Sequence, residues 1–281
     1  MKAIPIRSLK ESGPSVSENF NIREIQARTD LIRDVHRHDF FFVLAIKNGT
    51  GIHVIDFASH KIHDYSVFFI RPGQVHKLQL NAGATGYILQ FDSNFYAPVD
   101  SIARTLLRRA SDRNYCRLEA SSFGRLYSVL TTIFREYADK REHYRDVIKA
   151  SLSIFVVELF RNRRRDTHAL PENSYGQKRF DEFQELLETN FAEHKQPSYY
   201  AEKLNLSLYQ LNGITKSMLG KTSSEVINDH IVLEAKRYLR ATTDQVNQIA
   251  FHLGYDDPSY FIRFFKKHTG QSPETFRTNL T

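Results

Sequence analysis

Hydrophobic residues occur in short runs between Phe40 and Phe91, and each run is closed by a turn signal that contains proline, glycine, asparagine or aspartate. The runs are rich in β-branched and aromatic residues, which favour strands. They read FFFVLAIKNG, GIHVIDF, YSVFFIRPG, VHKLQLNAG and TGYILQFD. The pattern predicts an antiparallel β-barrel or sandwich within residues 1–100.

After Ser101 the hydrophobic spacing changes to that of α-helices. Two wide apolar stripes predict two long amphipathic helices within residues 101–166, which either form a homodimer interface or pack on the barrel. They comprise Leu126, Val129, Leu130, Ile133, Phe134 and Tyr137, then Ile148, Leu152, Phe155, Val156 and Leu159. The basic run at 161–165 and the proline- and glycine-containing segment that follows indicate a helix end and a linker at 167–176.

Residues 177–281 are expected to be helical throughout, and they contain an internal repeat. The repeat pairs Leu211, Lys216 and Gly220 with Phe261, Lys266 and Gly270 at an offset of 50 residues, and Ala201 with Ala250 at an offset of 49. Each copy predicts a short helix, a tight turn and a second helix. Ser207 with Gln210 forms a capping box for the first of these second helices, and Asp257 before Pro258 starts the other.

Such a second helix fits the DNA major groove, where its N-terminal side chains face base edges and flanking basic groups contact phosphates. Arg263, Lys266 and Lys267 supply positive charge in one copy, and Lys216 and Lys221 in the other. A capped helix beginning near Thr222 lies between the copies and can hold the two reading helices about one duplex turn, roughly 34 Å, apart. Helix pairs in a scaffold domain that never meets DNA are the alternative interpretation.

The segments YAEKLNLSLYQLNGITKSMLGKT and IAFHLGYDDPSYFIRFFKKHTGQSPETFR resemble the two helix-turn-helix units of AraC/XylS regulators. The resemblance covers residues 177–281 and implies a DNA-binding domain. The expected DNA-binding residues are Tyr209, Gln210, Asn212, Gly213, Lys216, Pro258, Ser259, Tyr260, Arg263, Lys266 and Lys267. Gly213 departs from the family pattern, which has a long polar residue there. We therefore expect the first helix-turn-helix unit to lack one potential contact with a base or phosphate.

The strands carry HRHD at 36–39 and PGQVH at 72–76, which resemble the two motifs of cupin barrels and match the sensor domain of the same family. The resemblance implies a pocket for a small-molecule effector, with His36, His38, Arg71, His76 and Tyr87 as candidate lining residues. In enzymatic cupins three such histidines and a carboxylate bind a metal. Here FFFV stands where the carboxylate is expected, so we expect a metal-free pocket without a cofactor.

The composition indicates an anionic partner and also bears on the cellular compartment. The chain has a formal net charge of +7, but residues 177–281 carry 13 basic and 13 acidic side chains, so the argument for DNA depends on local placement. No run is apolar enough for a membrane span or a signal peptide, and Cys116 has no partner for a disulfide. These features predict a cytoplasmic protein.

The sequence therefore predicts an α+β chain: a cupin-like antiparallel barrel at 1–100, a helical connection at 101–166, a linker at 167–176, and an all-α domain of two helix-turn-helix units at 177–281. Its expected partners are double-stranded DNA, an unidentified small-molecule effector and a second copy of the chain, and RNA polymerase is left open as a further one. Two alternatives stand beside this transcription regulator, which we describe as an activator although the sequence leaves activation and repression open. They are a metal-dependent cupin enzyme and a regulator that acts by binding another protein.

Overall fold

A computed structural model describes residues 6–7, 19–26, 31–96, 98, 101–165 and 175–279. The described residues fall into two compact units, one up to residue 165 and the other from residue 175 onward. The strands are β1 Ile6–Arg7, β2 Phe20–Gln26, β3 Leu31–His38, β4 Phe41–Asn48, β5 Gly51–Ile55, β6 Ala58–Ile62, β7 Ser66–Ile70, β8 Val75–Leu80, β9 Thr85–Phe91 and β10 Tyr115–Arg117. The helices are α1 Ser101–Ser111, α2 Ala120–Asp139, α3 Tyr144–Arg165, α4 Tyr175–Asn190, α5 Pro197–Lys203, α6 Leu208–Leu219, α7 Ser223–Ala241, α8 Val246–His252, α9 Pro258–Thr269 and α10 Pro273–Thr278.

The described strands form two five-stranded sheets, in the orders β1-β3-β8-β5-β6 and β10-β7-β4-β9-β2. Apart from the parallel pair β1–β3, the pairings are antiparallel. Inward side chains from both sheets share one core, to which Phe42 and Phe68 of the second sheet and Leu78 of the first belong. The predicted barrel or sandwich is thus confirmed, with the two sheets facing each other as in cupin-like folds.

The second sheet is buried on both faces. Its outer face packs against α1, α2 and α3 in a second core that joins Val43 and Leu89 to Leu130 and Phe155. Burial on both faces explains why β4 reads as an almost continuous apolar run instead of an alternating one.

The two apolar stripes predicted for residues 101–166 lie on α2 and α3, and their principal residues are buried in the chain's own core. Leu126, Leu130 and Ile133 of α2 and Leu152 of α3 are fully buried. The stripes are therefore accounted for by packing on the sheet, the alternative that the sequence left open.

Two elements in this region differ from the sequence prediction. The helix α1 begins at Ser101, and β10 then returns to the second sheet, where Cys116 pairs with Val67. A three-residue strand carries too little periodicity to be recognised in a sequence. The predicted boundary at residue 100 consequently does not coincide with a structural one, because the same compact unit continues through α3.

The second unit contains α4 to α10 around one core, and the repeat predicted from the sequence appears as α5–α6 and α8–α9. Helix α7 runs between the two copies, as expected for a spacer. The predicted linker at 167–176 lies outside the described residues up to 174, and α4 begins at Tyr175. None of the helices within the described ranges is both long and apolar enough to cross a bilayer.

Candidate nucleic-acid interface and sensor site

The first reading helix, α6, is fixed at both ends by local hydrogen bonds. The Ser207 hydroxyl accepts from the backbone N–H of Gln210 at 3.2 Å, and the Gln210 side chain accepts from the backbone N–H of Ser207 at 2.8 Å. Gly220 ends the helix in the left-handed conformation at φ 71°. The predicted capping box is thus present, and it occupies the side-chain oxygen of Gln210.

The second reading helix, α9, starts by a different device. The Asp257 carboxylate accepts from the backbone N–H of Ser259 at 2.8 Å, and Pro258 occupies the first turn with a preset φ. Gly270 ends this helix at φ 79°. Both helices have 12 residues, so the two copies present equally long and well-capped rods.

The outer faces of α6 and α9 expose most of the residues expected to bind DNA. Tyr209 is 88% exposed and Tyr260 is 64% exposed. Large aromatic side chains are usually much more buried than this. The Arg263 guanidinium carbon lies 5.2 Å from the Tyr260 ring centroid. Exposed side chains on these faces are Tyr209, Gln210, Lys216, Ser259, Tyr260, Arg263, Lys266 and Lys267, and Gly213 lies among them. Aromatic and basic groups therefore share one surface on each helix.

Asn212 and Pro258 are only partly exposed, and Asn212 has a structural partner. Its side-chain oxygen accepts from the backbone N–H of Ser223 at 2.9 Å and from the Ser223 hydroxyl at 2.8 Å. The Asn212 side chain thus ties α6 to the first turn of α7. Lys221, which the sequence suggested as a source of positive charge for DNA, forms an ion pair with Asp229 at 2.6 Å.

Two basic residues that the sequence interpretation missed hold the second unit together. The Lys195 ammonium donates to the backbone carbonyls of Ala192 and Gly254, both at 2.6 Å, and partial burial lowers its pKa. Arg277 donates to the carbonyls of Leu239 and Asp244 at 3.3 and 2.7 Å. These contacts have no sequence signal, because the acceptors that join distant parts of the unit, Gly254 for Lys195 and Leu239 and Asp244 for Arg277, are main-chain groups far away in the sequence.

In the first unit the three candidate histidines meet inside the barrel. His36 and His38 are two residues apart on β3 and point to the same face, and His76 of β8 pairs with His36 across the strands. The three are almost fully buried, and one ligand nitrogen from each lies within 4.8 Å of the others. The Nε2 atoms of His38 and His76 are 2.7 Å apart.

A fourth histidine, His53 of β5, completes the cluster. Its Nε2 lies 2.8 Å from Nδ1 of His76, and burial, followed by the charges of His60, His36 and His38, lowers its pKa to about 3. His53 is therefore neutral at physiological pH. The alternation of GIHVI, which places its odd-numbered residues inward, is the signal that would have found it.

The other two residues proposed for the effector pocket lie elsewhere, which corrects the predicted grouping. Tyr87 is on the opposite face of its sheet, with its ring centroid 4.9 Å from that of Tyr127 on α2. Its neighbour Ile88 takes the inward position, because side chains alternate along β9. The Arg71 guanidinium is partly exposed and lies 3.8 Å from Asp112.

A cavity of about 410 Å³ lies in the first unit where the turn before β7 meets the start of α2. Its lining residues are Tyr65, Arg117, Leu118, Glu119 and Ala120. None of the five candidate effector residues is among them.

Comparisons with known proteins agree with this division into a helix-turn-helix unit and a barrel. Residues 200–279 match the family described as helix-turn-helix domain, and residues 21–126 match the AraC-like ligand binding domain. The chain is 25% identical over 247 residues to the HTH-type transcriptional activator RhaS of Enterobacter sp. (strain 638). It is 26% identical over 248 residues to RhaS of Escherichia coli O157:H7, and each alignment spans 86% of both proteins.

Among solved structures, a ToxT crystal structure from Vibrio cholerae O395 in complex with a naphthalenyl butenoic acid aligns over 94% of this chain and 100% of that one, with 16% identity and a TM-score of 0.43. The C-terminal domain of the response regulator yesN from Fusobacterium nucleatum is 28% identical over 34% of this chain and 93% of its own, with a TM-score of 0.32.

Two exposed reading helices in one unit and a ligand-binding barrel in the other define a DNA-binding regulator that responds to a small molecule. The chain combines a helix-turn-helix domain with an AraC-like ligand binding domain, and it is homologous to transcription regulators of the AraC/XylS family. This assignment favours transcription regulation over the alternative of a metal-dependent cupin enzyme, since the matched relatives are regulators.

Proposed function

We propose that α6 and α9 enter successive major grooves and read two parts of one operator. The observation that carries the proposal is the repeat of a capped 12-residue helix whose outer face is aromatic and basic. In the major groove each base pair shows a distinct pattern of donors and acceptors, and a helix of this width fits it. The two helices then determine sequence preference together.

The side chains have different tasks in this proposal. Tyr209, Ser259 and Arg263 contact base edges near the N-terminal halves of the two helices, with Tyr260 beside Arg263 and Gly213 leaving a gap. Lys216, Lys266 and Lys267 lie in the last turns and contact phosphates, which positions the helices without reading sequence. Gln210, Asn212 and Pro258 hold the backbone of the reading helices in place, because their groups are engaged in caps and junctions.

We propose further that the barrel binds the effector and that the chain acts as a homodimer. The buried stripes of α2 and α3 leave three exposed apolar side chains on the outer helices, Ile102 on α1 and Val147 and Ile154 on α3, as candidates for contact with a second copy. Sedimentation of the full chain should give a dimer, and Ile154→Glu should lower its stability. A monomer at high concentration contradicts this part of the proposal.

An activating role with RNA polymerase as a partner is the remaining part. It is supported by the relatives, which carry the name of transcriptional activators. Transcription in vitro from a promoter with the bound site upstream should rise when the chain is added to purified polymerase. Lower transcription at the same occupancy would indicate a repressor.

The experiment that tests DNA reading is selection of bound genomic fragments by the purified full chain, followed by titration of the best site at several salt concentrations. We expect one motif with half-sites about 10 base pairs apart and an affinity that falls steeply with salt. Arg263→Ala should weaken binding, whereas Arg135→Ala, which removes one exposed charge from the other unit, should not. Absence of any motif contradicts the proposal.

A further inference from the structure

The four buried histidines of the barrel lie among aromatic and aliphatic side chains, where uncharged polar groups are costly unless they are satisfied. His38 stacks on Phe40 and Phe42 with centroid distances of 4.3 and 5.4 Å, and the His53 ring lies 4.7 Å from that of Phe68. Hydrogen bonds connect His76 to His38 on one side and to His53 on the other.

Hydrogen bonds to other groups indicate which nitrogen of His36 and which nitrogen of His76 is left for a common ligand. Nδ1 of His36 lies 2.7 Å from the carbonyl oxygen of Asp34, an acceptor that requires the proton on Nδ1. Nε2 of His36 therefore carries a lone pair. In His76, Nδ1 faces His53 and Nε2 faces Nε2 of His38.

We propose that His36, His38 and His76 bind one divalent transition-metal ion of the zinc class through their Nε2 atoms, with His53 as the hydrogen-bond partner that orients His76. Neutral imidazole is a preferred ligand of Zn²⁺, Ni²⁺, Cu²⁺ and Fe²⁺. A metal-bound histidine almost always donates its other ring N–H to an acceptor, and the contacts of His36 with Asp34 and of His76 with His53 have this form.

The ligand nitrogens all lie within 4.8 Å of one another, close enough for such an ion once the rings shift. With Zn–N bonds of roughly 2.0–2.1 Å, two nitrogens of a tetrahedral site are about 3.3 Å apart. The 2.7 Å between the Nε2 atoms of His38 and His76 must therefore open by about 0.6 Å. Three imidazoles on adjacent strands β3 and β8 leave coordination positions for water or for a small molecule with an oxygen or nitrogen donor.

The ligand set also explains why the missing cupin carboxylate does not exclude a metal. Three histidines suffice for a bound ion in catalytic zinc sites, and the fourth position is then taken by solvent or substrate. Here the FFFV run contributes Phe40 and Phe42 to the wall behind His38, so aromatic rings form that side of the site. The inference differs from the metal-free pocket expected from the sequence.

The test uses the untagged full-length chain, because a histidine tag would bind the same ions. Metal content of the purified protein is measured by mass spectrometry, and the metal-stripped protein is titrated with Co²⁺ and with Zn²⁺. We expect one equivalent per chain, Co²⁺ absorption typical of four-coordinate nitrogen ligation, and no thiolate charge-transfer band, since Cys116 is not in the site. Zn²⁺ should also raise the Tm.

Variants separate the ligands from their support. His38→Ala and His76→Ala should each abolish stoichiometric binding, and His143→Asn, at an exposed histidine outside the barrel, should leave it unchanged. His53→Leu keeps all three ligands and should weaken affinity by about 10- to 100-fold, the usual effect of losing an orienting partner. Far-UV circular dichroism of each variant shows whether the barrel has folded.

Less than a tenth of an equivalent of Co²⁺ or Zn²⁺ at micromolar protein, or binding that persists in folded His38→Ala and His76→Ala, overturns the metal site. Operator binding by the same wild-type sample is measured in parallel. Loss of the metal inference with intact operator binding leaves the proposed function standing.

Discussion

The two reading helices, α6 and α9, are anchored in the core in the same way, but their exposed surfaces differ. Leu211 and Thr215 anchor α6 in the core at the positions where Phe261 and Phe265 anchor α9, and all four side chains are fully buried. On the outer face, Gly213 of α6 corresponds to Arg263 of α9 at the repeat offset of 50 residues. The frame repeats because both helices must pack on one core, whereas the outward positions are free to differ in what they contact.

The junction after each reading helix shows the same contrast. Asn212 and Ser223 form a polar clamp between α6 and α7. At the corresponding positions α9 and α10 have Ile262 and Pro273, which are apolar. The first helix-turn-helix unit is thus held by directional hydrogen bonds and the second helix-turn-helix unit by packing. We expect the two helix-turn-helix units to respond differently to the same kinds of substitution.

The turns before the reading helices should give the greatest difference. Asn205 and Gly254 both have positive φ, 52° and 71°, but a Cβ on Gly254 would lie 1.8 Å from the carbonyl oxygen of Ala192. Gly254→Ala should therefore lower the free energy of unfolding by about 2–4 kcal/mol, combining left-handed strain with overpacking. Urea unfolding followed by circular dichroism measures it.

Asn205→Ala is the matched control for this prediction. It places alanine at a left-handed position that already carries a side chain, so a loss of about 1 kcal/mol is expected from backbone strain alone. Equal losses of stability in the two variants would show that the close approach of Gly254 to Ala192 does not constrain the second helix-turn-helix unit.

Arg263→Ala tests whether the second helix-turn-helix unit provides more of the DNA affinity than the first. A basic side chain that contacts a base or phosphate contributes about 1–3 kcal/mol, which corresponds to a loss of roughly 5- to 150-fold in operator affinity. Tyr209→Ala in the first helix-turn-helix unit should lower operator affinity less, because α6 has no arginine at the position that corresponds to Arg263. Fluorescence anisotropy with one operator at fixed salt compares the two, and a greater loss for Tyr209→Ala would reverse the assignment.

How much the sequence could predict follows from the kind of signal each feature has. The helix-turn-helix repeat was visible because its caps and core anchors are local and recur at a fixed offset. The histidine pair on β3 was visible as a motif. His53 and the contact of Lys195 with Gly254 were not, since they depend on strand register and on main-chain acceptors far away in the sequence. The sequence could not tell on which face of its sheet Tyr87 lies, because a strand buried on both sides loses its alternation.

Asn212 distinguishes a base contact from a structural one. Asn212→Leu removes the acceptor of two hydrogen bonds and leaves the Ser223 N–H without this partner, so we expect a loss of about 1–2 kcal/mol in stability. Asn212→Asp keeps an acceptor oxygen and should retain most of the stability. Hydrogen exchange at the first turn of α7 reports the junction directly. Unchanged exchange in Asn212→Leu would show that the clamp contributes nothing and that Asn212 is free to read bases.

Gly213 gives the smallest expected effect, and it completes the comparison of the two helices. It lies inside α6, and a Cβ there would meet no atom within 4 Å, so the position accepts a side chain. Gly213→Ala should raise stability by about 0.8–1.0 kcal/mol through helix propensity alone. Gly213→Arg should add a contact like that of Arg263 and tighten operator binding, with a steeper dependence on salt because one more phosphate or base edge is engaged. If Gly213→Arg stabilises the chain as Gly213→Ala does but leaves operator affinity and its salt dependence unchanged, α6 does not face the duplex at this position, and the two units do not read DNA in the same way.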